Sequence, residues 1–257
     1  MKLSIIVPSF NQARFLAQTL ESLANQRNIK SGELEIIVMD GGSTDGSVEI
    51  LERFAGHLDY WVSEPDRGQT HALLKGFSHA TGSVLGWLCS DDLLEPDAVR
   101  FTLDYFAQHD EVRFFYGDAL WIDEGGAVLK AKKEIPFNRF IWNYDHCYIP
   151  QPSAFWRRSL YEESAGLDET LHLAMDSDLW VKFAHLTRPR HVRRSLSRIR
   201  VHTQAKTQRF ARQSLQEHRE ICRRAGASFD DPLVLAARRA VAKSMRVTWK
   251  LAMGCYW

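Results

Sequence analysis

Apolar and polar positions along the first 110 residues predict strands that alternate with helices. Four short, nearly continuous apolar runs are typical of strands buried on both faces. These predicted strands cover residues 3–7, 33–40, 59–64 and 83–90. Each is followed by a segment with helical periodicity, such as the one in which Phe15, Leu16 and Leu20 share a face, with Asn11 as its candidate N-cap. The alternation predicts right-handed βαβ units and therefore an α/β fold with a Rossmann-like, mostly parallel central sheet flanked by helices.

The pattern changes after about residue 110. The next predicted elements are a hairpin over 112–133, an irregular stretch over 135–158, a helix over 174–186 and a strand over 190–202. Two basic helices, at about 204–225 and 231–252, complete the sequence. We therefore expect a principal domain over 1–205 and a basic helical C-terminal extension over 206–257.

Composition supports a soluble globular protein, since 45% of the 257 residues are hydrophobic and 25% are charged. No run reaches the roughly 20 apolar residues of a membrane helix. Pro8 interrupts the apolar run near the start, which predicts a strand and not a signal peptide. The four cysteines include no CxxC pair, which argues against a zinc site or a disulfide framework and favours a reducing cytoplasm.

A formal net charge of +1 conceals a strong asymmetry. The segment from Thr187 onward has 17 Lys and Arg against 4 Asp and Glu, and the preceding part has 16 against 28. An acidic body suits a bound cation, and a basic tail suits an anionic partner such as a membrane surface. A helical tail that packs on the acidic body explains the same asymmetry, and both interpretations stay open. Charge alone is weak support for nucleic-acid binding, which we do not expect.

Acidic residues follow three of the four predicted parallel strands. Asp40 ends the second strand, Asp66 follows the third, and Asp91 and Asp92 follow the fourth. In an open parallel sheet, ligands bind beyond the carboxyl ends of the strands, so these acids are expected to converge there. A hard cation such as Mg²⁺ or Mn²⁺ would offset their repulsion and leave positions open for phosphate. Adjacent acids before a helix also act as caps, which is the simpler alternative.

Several motifs in order resemble the family 2 inverting glycosyltransferases, which have the GT-A fold. The similarity covers roughly residues 3–205 and includes "SIIVPSFNQARFLAQTLESLANQ", "EIIVMDGGSTDGS", "SEPDRGQTHALLKGFSHATGSVLGWLCSDDLLEPDAV", "YGDA", "AMDSDLW" and "RVH". The sequence lacks the dinucleotide-binding GxGxxG motif and the phosphate-loop lysine motif, so a nucleotide would be held in another manner.

The resemblance implies roles for residues on the nucleotide side. The residues implied to bind the nucleotide are Pro8, Ser9, Phe10, Asp40, Asp66, Arg67 and Asp91. Within this set, Arg67 would contact the diphosphate and Asp91 the ribose or sugar. Asp92 and His202 are implied as ligands of Mn²⁺ or Mg²⁺. The family motif is often DxD, whereas this sequence has Ser90 at the first position.

On the acceptor side, the resemblance implies that Asp176 is the general base. Gln151 and Trp156 lie in a segment rich in aromatic residues and are expected to bind the acceptor. Each assignment has a structural alternative: Asp176 as a helix cap, His202 as an ordinary buried or surface histidine, and the aromatic segment as a satellite hydrophobic core.

The predicted function is transfer of a sugar, with inversion, from a nucleotide-diphosphate sugar, most commonly UDP-linked in this family. The acceptor would be a hydroxyl of a glycan or lipid-linked molecule in the synthesis of surface polysaccharide or glycolipid. The expected location is the cytoplasm, with peripheral binding to the inner face of the membrane. Two alternatives are a sugar-phosphate nucleotidyltransferase, whose glycine-rich first loop is missing from "PSFNQARF", and a non-catalytic nucleotide-sugar-binding protein.

Overall fold

A computed structural model describes residues 1–256, except the side chains of residues 207 and 208. Trp257, at the end of the predicted basic tail, lies outside the described residues. The strands are β1 (Leu3–Ser9), β2 (Leu34–Asp40), β3 (Tyr60–Ser63), β4 (Val84–Trp87), β5 (Leu93–Leu94), β6 (Phe114–Ile122), β7 (Val128–Lys132), β8 (Ala154–Arg157) and β9 (Arg190–Arg200). The α-helices are α1 (Ala13–Ala24), α2 (Ser47–Phe54), α3 (Gln69–His79), α4 (Ala98–Gln108), α5 (Arg139–Tyr144), α6 (Arg158–Glu163), α7 (Met175–Leu186), α8 (Lys206–Arg209), α9 (Ala211–Arg224) and α10 (Pro232–Ala252).

The strands of the described chain form one sheet in the order β3-β2-β1-β4-β8-β6-β9-β5, with β7 paired to β6. Strands β1 to β4 are mutually parallel, and Ser9 lies opposite Asp40 at the carboxyl ends of β1 and β2. This confirms the predicted Rossmann-like α/β sheet. The parallel arrangement does not continue across the sheet, because β8 pairs antiparallel with both β4 and β6.

Strand β8 is the main element that the periodicity does not predict. It lies in the irregular stretch over 135–158, yet it occupies the middle of the sheet between β4 and β6. Only four residues form the strand, and three of them are buried. Such a short apolar run gives too few alternating positions to distinguish a strand from a loop.

The N-terminus of α1 is capped from outside the helix. Asn11, the expected cap, instead has a φ of 52° and accepts a hydrogen bond from the backbone N–H of Thr44. Asp45 accepts the N–H of Ala13 at 2.9 Å and so satisfies one of the free donors of the first turn. The prediction of Asn11 as the cap is therefore wrong, because the cap comes from the glycine-rich loop after β2.

A buried carboxylate ties the amino ends of β1 and β2 to the start of β4. Glu35 accepts hydrogen bonds from the hydroxyl of Ser4, the backbone N–H of Thr81 and the ammonium of Lys2. Burial alone would raise the pKa of Glu35, but these hydrogen bonds outweigh it and lower the pKa to about 2. The charged form of Glu35 therefore stabilises the folded protein.

The basic tail packs on the acidic body. Ile221, Cys222 and Ala242 are buried in the same apolar cluster as Trp180 of α7. The ammonium of Lys250 lies 2.8 Å from the buried carboxylate of Glu134. Residues 206–256 thus share a core with the principal domain, in agreement with one of the two interpretations of the charge asymmetry. Within residues 1–256, no helix is both long enough and apolar enough to cross a membrane.

Candidate active site

The turn after β4 places two carboxylates and a thiol together. Ligand atoms of Cys89, Asp91 and Asp92 all lie within 4.8 Å of one another. The hydroxyl of Thr19 on α1 donates to the carbonyl oxygens of both Ser90 and Asp92, at 2.9 and 2.8 Å. The backbone of the turn is therefore fixed from the adjacent helix, and its three side chains face the edge of the sheet where parallel strands end.

The end of β9 supports the same turn from the other side. The backbone N–H of Arg200 donates to Asp92 Oδ1 at 2.9 Å, and its guanidinium donates to the carbonyl oxygen of Asp91 at 2.8 Å. The same guanidinium also donates to the carbonyl oxygens of Asp123 and Glu124. Arg200 is almost fully buried, at 3% exposure, so this support is rigid. It holds the backbone of the turn and leaves the acidic side chains only partly compensated.

The charges of this group fit a divalent cation. Burial, and after it the neighbouring charge of Asp91, raises the pKa of Asp92 well above its usual range. A cation bound to both carboxylates would remove that repulsion, and carboxylate oxygens are the ligands that Mn²⁺ and Mg²⁺ prefer. Burial and the two carboxylates also raise the pKa of the Cys89 thiol, which favours its neutral form and makes it a weak ligand.

His202 is buried, with 4% of its surface exposed, and contacts Asp91 instead of Asp92. Its Nε2 lies 2.9 Å from Asp91 Oδ2, and its ring packs on Phe15 with a centroid distance of 4.8 Å. Its Nδ1 has no hydrogen-bond partner among the residues that the structure describes. In this arrangement His202 orients one member of the acidic pair, whereas the sequence analysis assigned it directly to the metal.

An exposed aromatic ring and a carboxylate lie together at the ends of β1 and β2. Phe10 is 59% exposed, and the carboxylate of Asp66 accepts the N–H of Gly68 at 2.6 Å. A Cβ atom at Gly41 would lie 2.8 Å from Asp66 Oδ2 and 3.2 Å from Phe10 Cδ2. Gly41 therefore allows the carboxylate and the ring to approach its backbone closely, and these two groups are suited to accepting the N–H of a base and stacking on it.

Three other residues that are implied to bind the nucleotide lie at the carboxyl ends of β1 and β2. Pro8 and Ser9 are buried at the end of β1, and the Ser9 carbonyl oxygen accepts the N–H of Gly41 at 2.8 Å. Asp40 is 2% exposed and accepts hydrogen bonds from Ser43 and Ser63. In this structure Asp40 fixes the loop after β2, which is a structural role additional to the one expected from the sequence.

Arg67 points toward the loop before α7. Its Nε donates to Glu169 Oε1 at 2.8 Å, and both side chains are largely exposed. Nearby, the hydroxyl of Thr70 donates to the carbonyl oxygen of Leu171 at 2.5 Å. These two contacts connect the loop after β3 and the start of α3 to the segment before Asp176. The first of them occupies the guanidinium of Arg67, which was expected to bind a diphosphate.

Asp176 lies in the first turn of α7 and is partly exposed. Its Oδ1 accepts the N–H of Ser177 at 2.7 Å. Burial raises the pKa of Asp176 to about 6, with a smaller contribution from the nearby Glu217 carboxylate. A carboxylate with this pKa is ionised at neutral pH and is a stronger base than an ordinary aspartate, as a general base requires.

The two predicted acceptor residues differ in position. Gln151 donates to the carbonyl oxygen of Trp87 at 2.8 Å and accepts from the Cys89 thiol at 3.6 Å, so it lies beside the acidic turn. Trp156 is fully buried on β8, and its ring lies 5.5 Å from that of Trp180. The prediction that Trp156 contacts an acceptor is therefore wrong, because the aromatic segment contributes to the core there.

The sequence analysis did not predict roles for Cys89, Gln69 or Glu217. Gln69 donates to Cys89 Sγ at 3.3 Å and accepts from Lys206 at 3.3 Å, which connects the tail to the acidic turn. Cys89 carried a usable signal, since it precedes Asp91 by two residues at a strand end. Glu217 lies 41 residues after Asp176, and no local pattern connects the two.

The fold and this site define an α/β protein with acidic residues at the carboxyl edge of its parallel strands. The family described as "Glycosyl transferase family 2" matches residues 4–164. The chain therefore belongs to this family, and it is a glycosyltransferase.

Curated relatives agree with this assignment. An uncharacterized glycosyltransferase of Mycobacterium tuberculosis is 30% identical over 191 residues, which cover 74% of this chain and 71% of that protein. The chondroitin synthase of Escherichia coli is 27% identical over 192 residues, which cover 74% of this chain and 27% of the synthase.

Solved structures confirm the GT-A-type fold. Staphylococcus aureus TarS (residues 1–349) in complex with UDP-GlcNAc matches 94% of this chain and 71% of the other chain, with a TM-score of 0.69 and 19% identity. The mannosyltransferase PcManGT from Pyrobaculum calidifontis, in complex with GDP-Man and Mn²⁺, matches 97% of this chain and 83% of the other, with a TM-score of 0.62 and 19% identity.

Proposed function

We propose that this enzyme transfers a sugar, with inversion, from a UDP-sugar to a hydroxyl group of a glycan or lipid-linked acceptor. The observation that carries the proposal is the position of the group Cys89, Asp91 and Asp92 at the sheet edge where the parallel strands end. Gln69 donates a hydrogen bond to Cys89 and accepts one from Lys206, so this group is connected to the C-terminal tail. Synthesis of a surface polysaccharide or glycolipid is the corresponding pathway class, and the chondroitin synthase relative supports it.

On the donor side, the nucleobase is proposed to stack on the exposed ring of Phe10, beside Asp66 and Gly41. Pro8 and Ser9 are proposed to border the base, and Asp40, which holds the loop after β2, is proposed to bind the base or ribose. The solved TarS complexes with UDP and UDP-GlcNAc support a uridine nucleotide. Arg67 is proposed to exchange its exposed pairing with Glu169 for the diphosphate, since such an exposed ion pair contributes little to stability.

Asp91 and Asp92 are proposed to hold Mn²⁺ or Mg²⁺, and the neighbour with Mn²⁺ supports this choice. When bound, the cation would neutralise charge on the leaving diphosphate. His202 would keep Asp91 oriented through the contact at 2.9 Å, either alone or as a further ligand. Lys206 contacts Gln69 near the same edge and is proposed to provide a positive charge for the phosphates.

The chemical step needs a base that removes the proton of the acceptor hydroxyl. We assign this role to Asp176, whose carboxylate takes the proton while the acceptor oxygen bonds to the anomeric carbon. The bond between that carbon and the diphosphate oxygen breaks on the opposite face, so the configuration inverts and the nucleoside diphosphate leaves. Gln151, fixed beside the acidic turn, is proposed to bind acceptor or sugar hydroxyls.

The enzyme is proposed to act in the cytoplasm at the inner face of the membrane, where a lipid-linked acceptor is accessible. Helix α10 supports this location, because Leu233 is 83% exposed, Val241 50% and Leu251 47%, with Arg239 and Lys243 exposed on the same helix. Apolar residues flanked by basic ones suit an anionic bilayer surface. Cosedimentation with vesicles with and without anionic lipid tests this, and equal recovery with both contradicts it.

Transfer assays with a panel of UDP-sugars and acceptors test the proposed reaction. We expect Asp92→Asn and Asp176→Asn to lose transfer by about 10²–10⁴-fold while both proteins stay folded. Asp110→Asn changes a 94% exposed carboxylate and is the matched control, with activity expected to be unchanged. Undiminished transfer by both site variants contradicts the assignment.

A further inference from the structure

One face of helix α9 packs against the start of α7, where Asp176 lies. Glu217, His218, Ile221 and Cys222 share this face, because they recur at helical spacing. Ile221 and Cys222 are 2% and 0% exposed, and both belong to the apolar cluster that contains Trp180 of α7. Helix α9 is therefore fixed on the catalytic domain, and its polar residues have defined positions there.

Glu217 caps the N-terminus of α7 from outside that helix. Its Oε2 accepts the backbone N–H groups of Leu173 and Ala174, each at 2.9 Å, and its Oε1 accepts that of His172 at 3.4 Å. The N-cap residue of α7 is Ala174, which has no side chain that can accept a hydrogen bond. The three N–H groups that Glu217 accepts lie at the N-cap and just before it, and a carboxylate near a helix N-terminus also interacts favourably with the helix dipole.

A second residue of α9, His218, contacts the residue that follows Asp176. His218 Nδ1 lies 3.3 Å from the hydroxyl of Ser177, and its Nε2 lies 3.3 Å from the carbonyl oxygen of Trp142. Helix α9 thus contacts the residues immediately before Met175 through Glu217, and the residue after Asp176 through His218. A rigid body displacement of α9 would move Asp176 with it.

We propose that Glu217 is a positioning residue for Asp176, so that the basic tail completes the active site of the enzyme. This inference rests on the proposed role of Asp176 as general base. A base must lie within hydrogen-bonding reach of its proton, and misplacement by about 1 Å costs on the order of a hundredfold in rate. By holding three consecutive N–H groups before α7, Glu217 fixes the backbone from which Asp176 projects.

Glu217 also contributes negative charge near Asp176, which is one of the causes of its raised pKa. The other titratable groups that face this region are His218 on α9, the thiol of Cys147, Lys206 before α9, and Asp178 of α7, which pairs with Lys182 at 2.7 Å. None of these others changes in a Glu217 variant. A shift of the acid limb of the rate profile in such a variant therefore reports on Glu217.

The test compares Glu217→Ala, Glu217→Gln and the control Glu220→Gln in the full chain. Glu220 lies on the same helix but is exposed and pairs with Arg223 and Arg224. We expect Glu217→Ala to lower kcat about tenfold to a hundredfold while KM for the UDP-sugar stays within about twofold. Glu217→Gln can still accept the N–H groups of Leu173 and Ala174, so it should keep most activity and move the acid limb of kcat/KM about half a pH unit lower.

The outcomes separate this inference from the proposed function. Full activity of Asp176→Asn contradicts the proposed function itself. If Asp176→Asn is inactive but both Glu217 variants match Glu220→Gln in kcat and in pH profile, only the positioning role is overturned. A parallel increase in donor KM in Glu217→Ala also overturns it, because a displacement confined to Asp176 leaves donor binding unchanged, and kcat is referred to the folded fraction measured by circular dichroism. Should Glu217→Ala fail to fold, the acid limb of the kcat/KM profile of Glu217→Gln decides. A shift to lower pH supports the positioning role, and an unchanged limb overturns it.

Discussion

Replacing Asp176 by Asn should make the protein more stable and inactive at the same time. Burial raises the pKa of Asp176 from 3.8 to about 6, so ionisation of this side chain opposes folding. This difference in pKa corresponds to about 3 kcal/mol. Because the carboxylate still has some access to solvent, about 3 kcal/mol is the upper bound of the stability gain. The amide cannot accept a proton as a base, which should lower kcat by about 10²–10⁴-fold.

The pH dependence gives the sign of the effect. Well below pH 3.8 the carboxyl is protonated in both folded and unfolded states, so Asp176→Asn and wild type should have equal stability. As pH rises from about 4 to 6, the unfolded chain releases this proton before the folded protein does, and the wild type loses stability relative to the variant. Above about pH 6 the difference should be constant. The wild-type rate should fall about tenfold per pH unit below pH 6.

Urea unfolding at about pH 3 and about pH 8, together with transfer rates, measures both effects. Asp178→Asn is the control on the same helix, since Asp178 pairs with Lys182 at 2.7 Å. It should be less stable than wild type by about 0.5–1 kcal/mol. Equal stability of Asp176→Asn and wild type at pH 8, or a variant that keeps the wild-type rate, would refute the reasoning.

Three further predictions concern other parts of the site and its support. Glu35→Gln should lose about 3 kcal/mol of stability near neutral pH, because the ionised carboxylate stabilises the fold above about pH 4.5 and this stabilisation is lost as the pH falls through about 2. Urea unfolding from about pH 7 to about pH 2.5 measures the effect, and equal stability at about pH 7 would count against it. Gly41→Ala should weaken UDP binding about tenfold by crowding Asp66, as measured by calorimetry, with unchanged affinity as the contrary result. Thr19→Val removes both hydrogen bonds from the hydroxyl to the turn at 89–92, so it should lower stability by about 1–3 kcal/mol and weaken Mn²⁺ binding. An unaltered Mn²⁺ titration would contradict the proposal that this turn holds the cation.

The parallel half of the sheet and the acids at its edge follow directly from the sequence. Continuous apolar runs mark β1, β2 and β4, and their carboxyl ends meet because the strands are parallel. The positions of Asp91 and Asp92 therefore depend on local pattern alone. The chemical roles come from the family resemblance, because hydrophobic periodicity predicts secondary structure and not chemistry.

The parts that sequence reasoning missed depend on tertiary contacts. Trp156 is an aromatic residue of the kind that stacks on sugars, but its position on a central strand buries it completely. Asn11 has the chemistry of an N-cap, yet Asp45 from a neighbouring loop provides the cap. Glu217 acts on a helix whose N-terminus lies 42 residues earlier in the sequence. Each case is decided by which residues the fold brings together, and a local pattern does not report this.

The most direct test of the central claim is the thermal stability of the protein with UDP, measured with and without Mn²⁺. The claim is that a cation on Asp91 and Asp92 binds the diphosphate at the sheet edge. With Mn²⁺, UDP at a hundredfold excess over its Kd should stabilise the wild type by about 2.7 kcal/mol, a rise in Tm of roughly 5–10 °C. Asp92→Asn should lose most of this rise and Asp110→Asn should keep it. An equal rise in all three proteins, with or without Mn²⁺, would contradict the account.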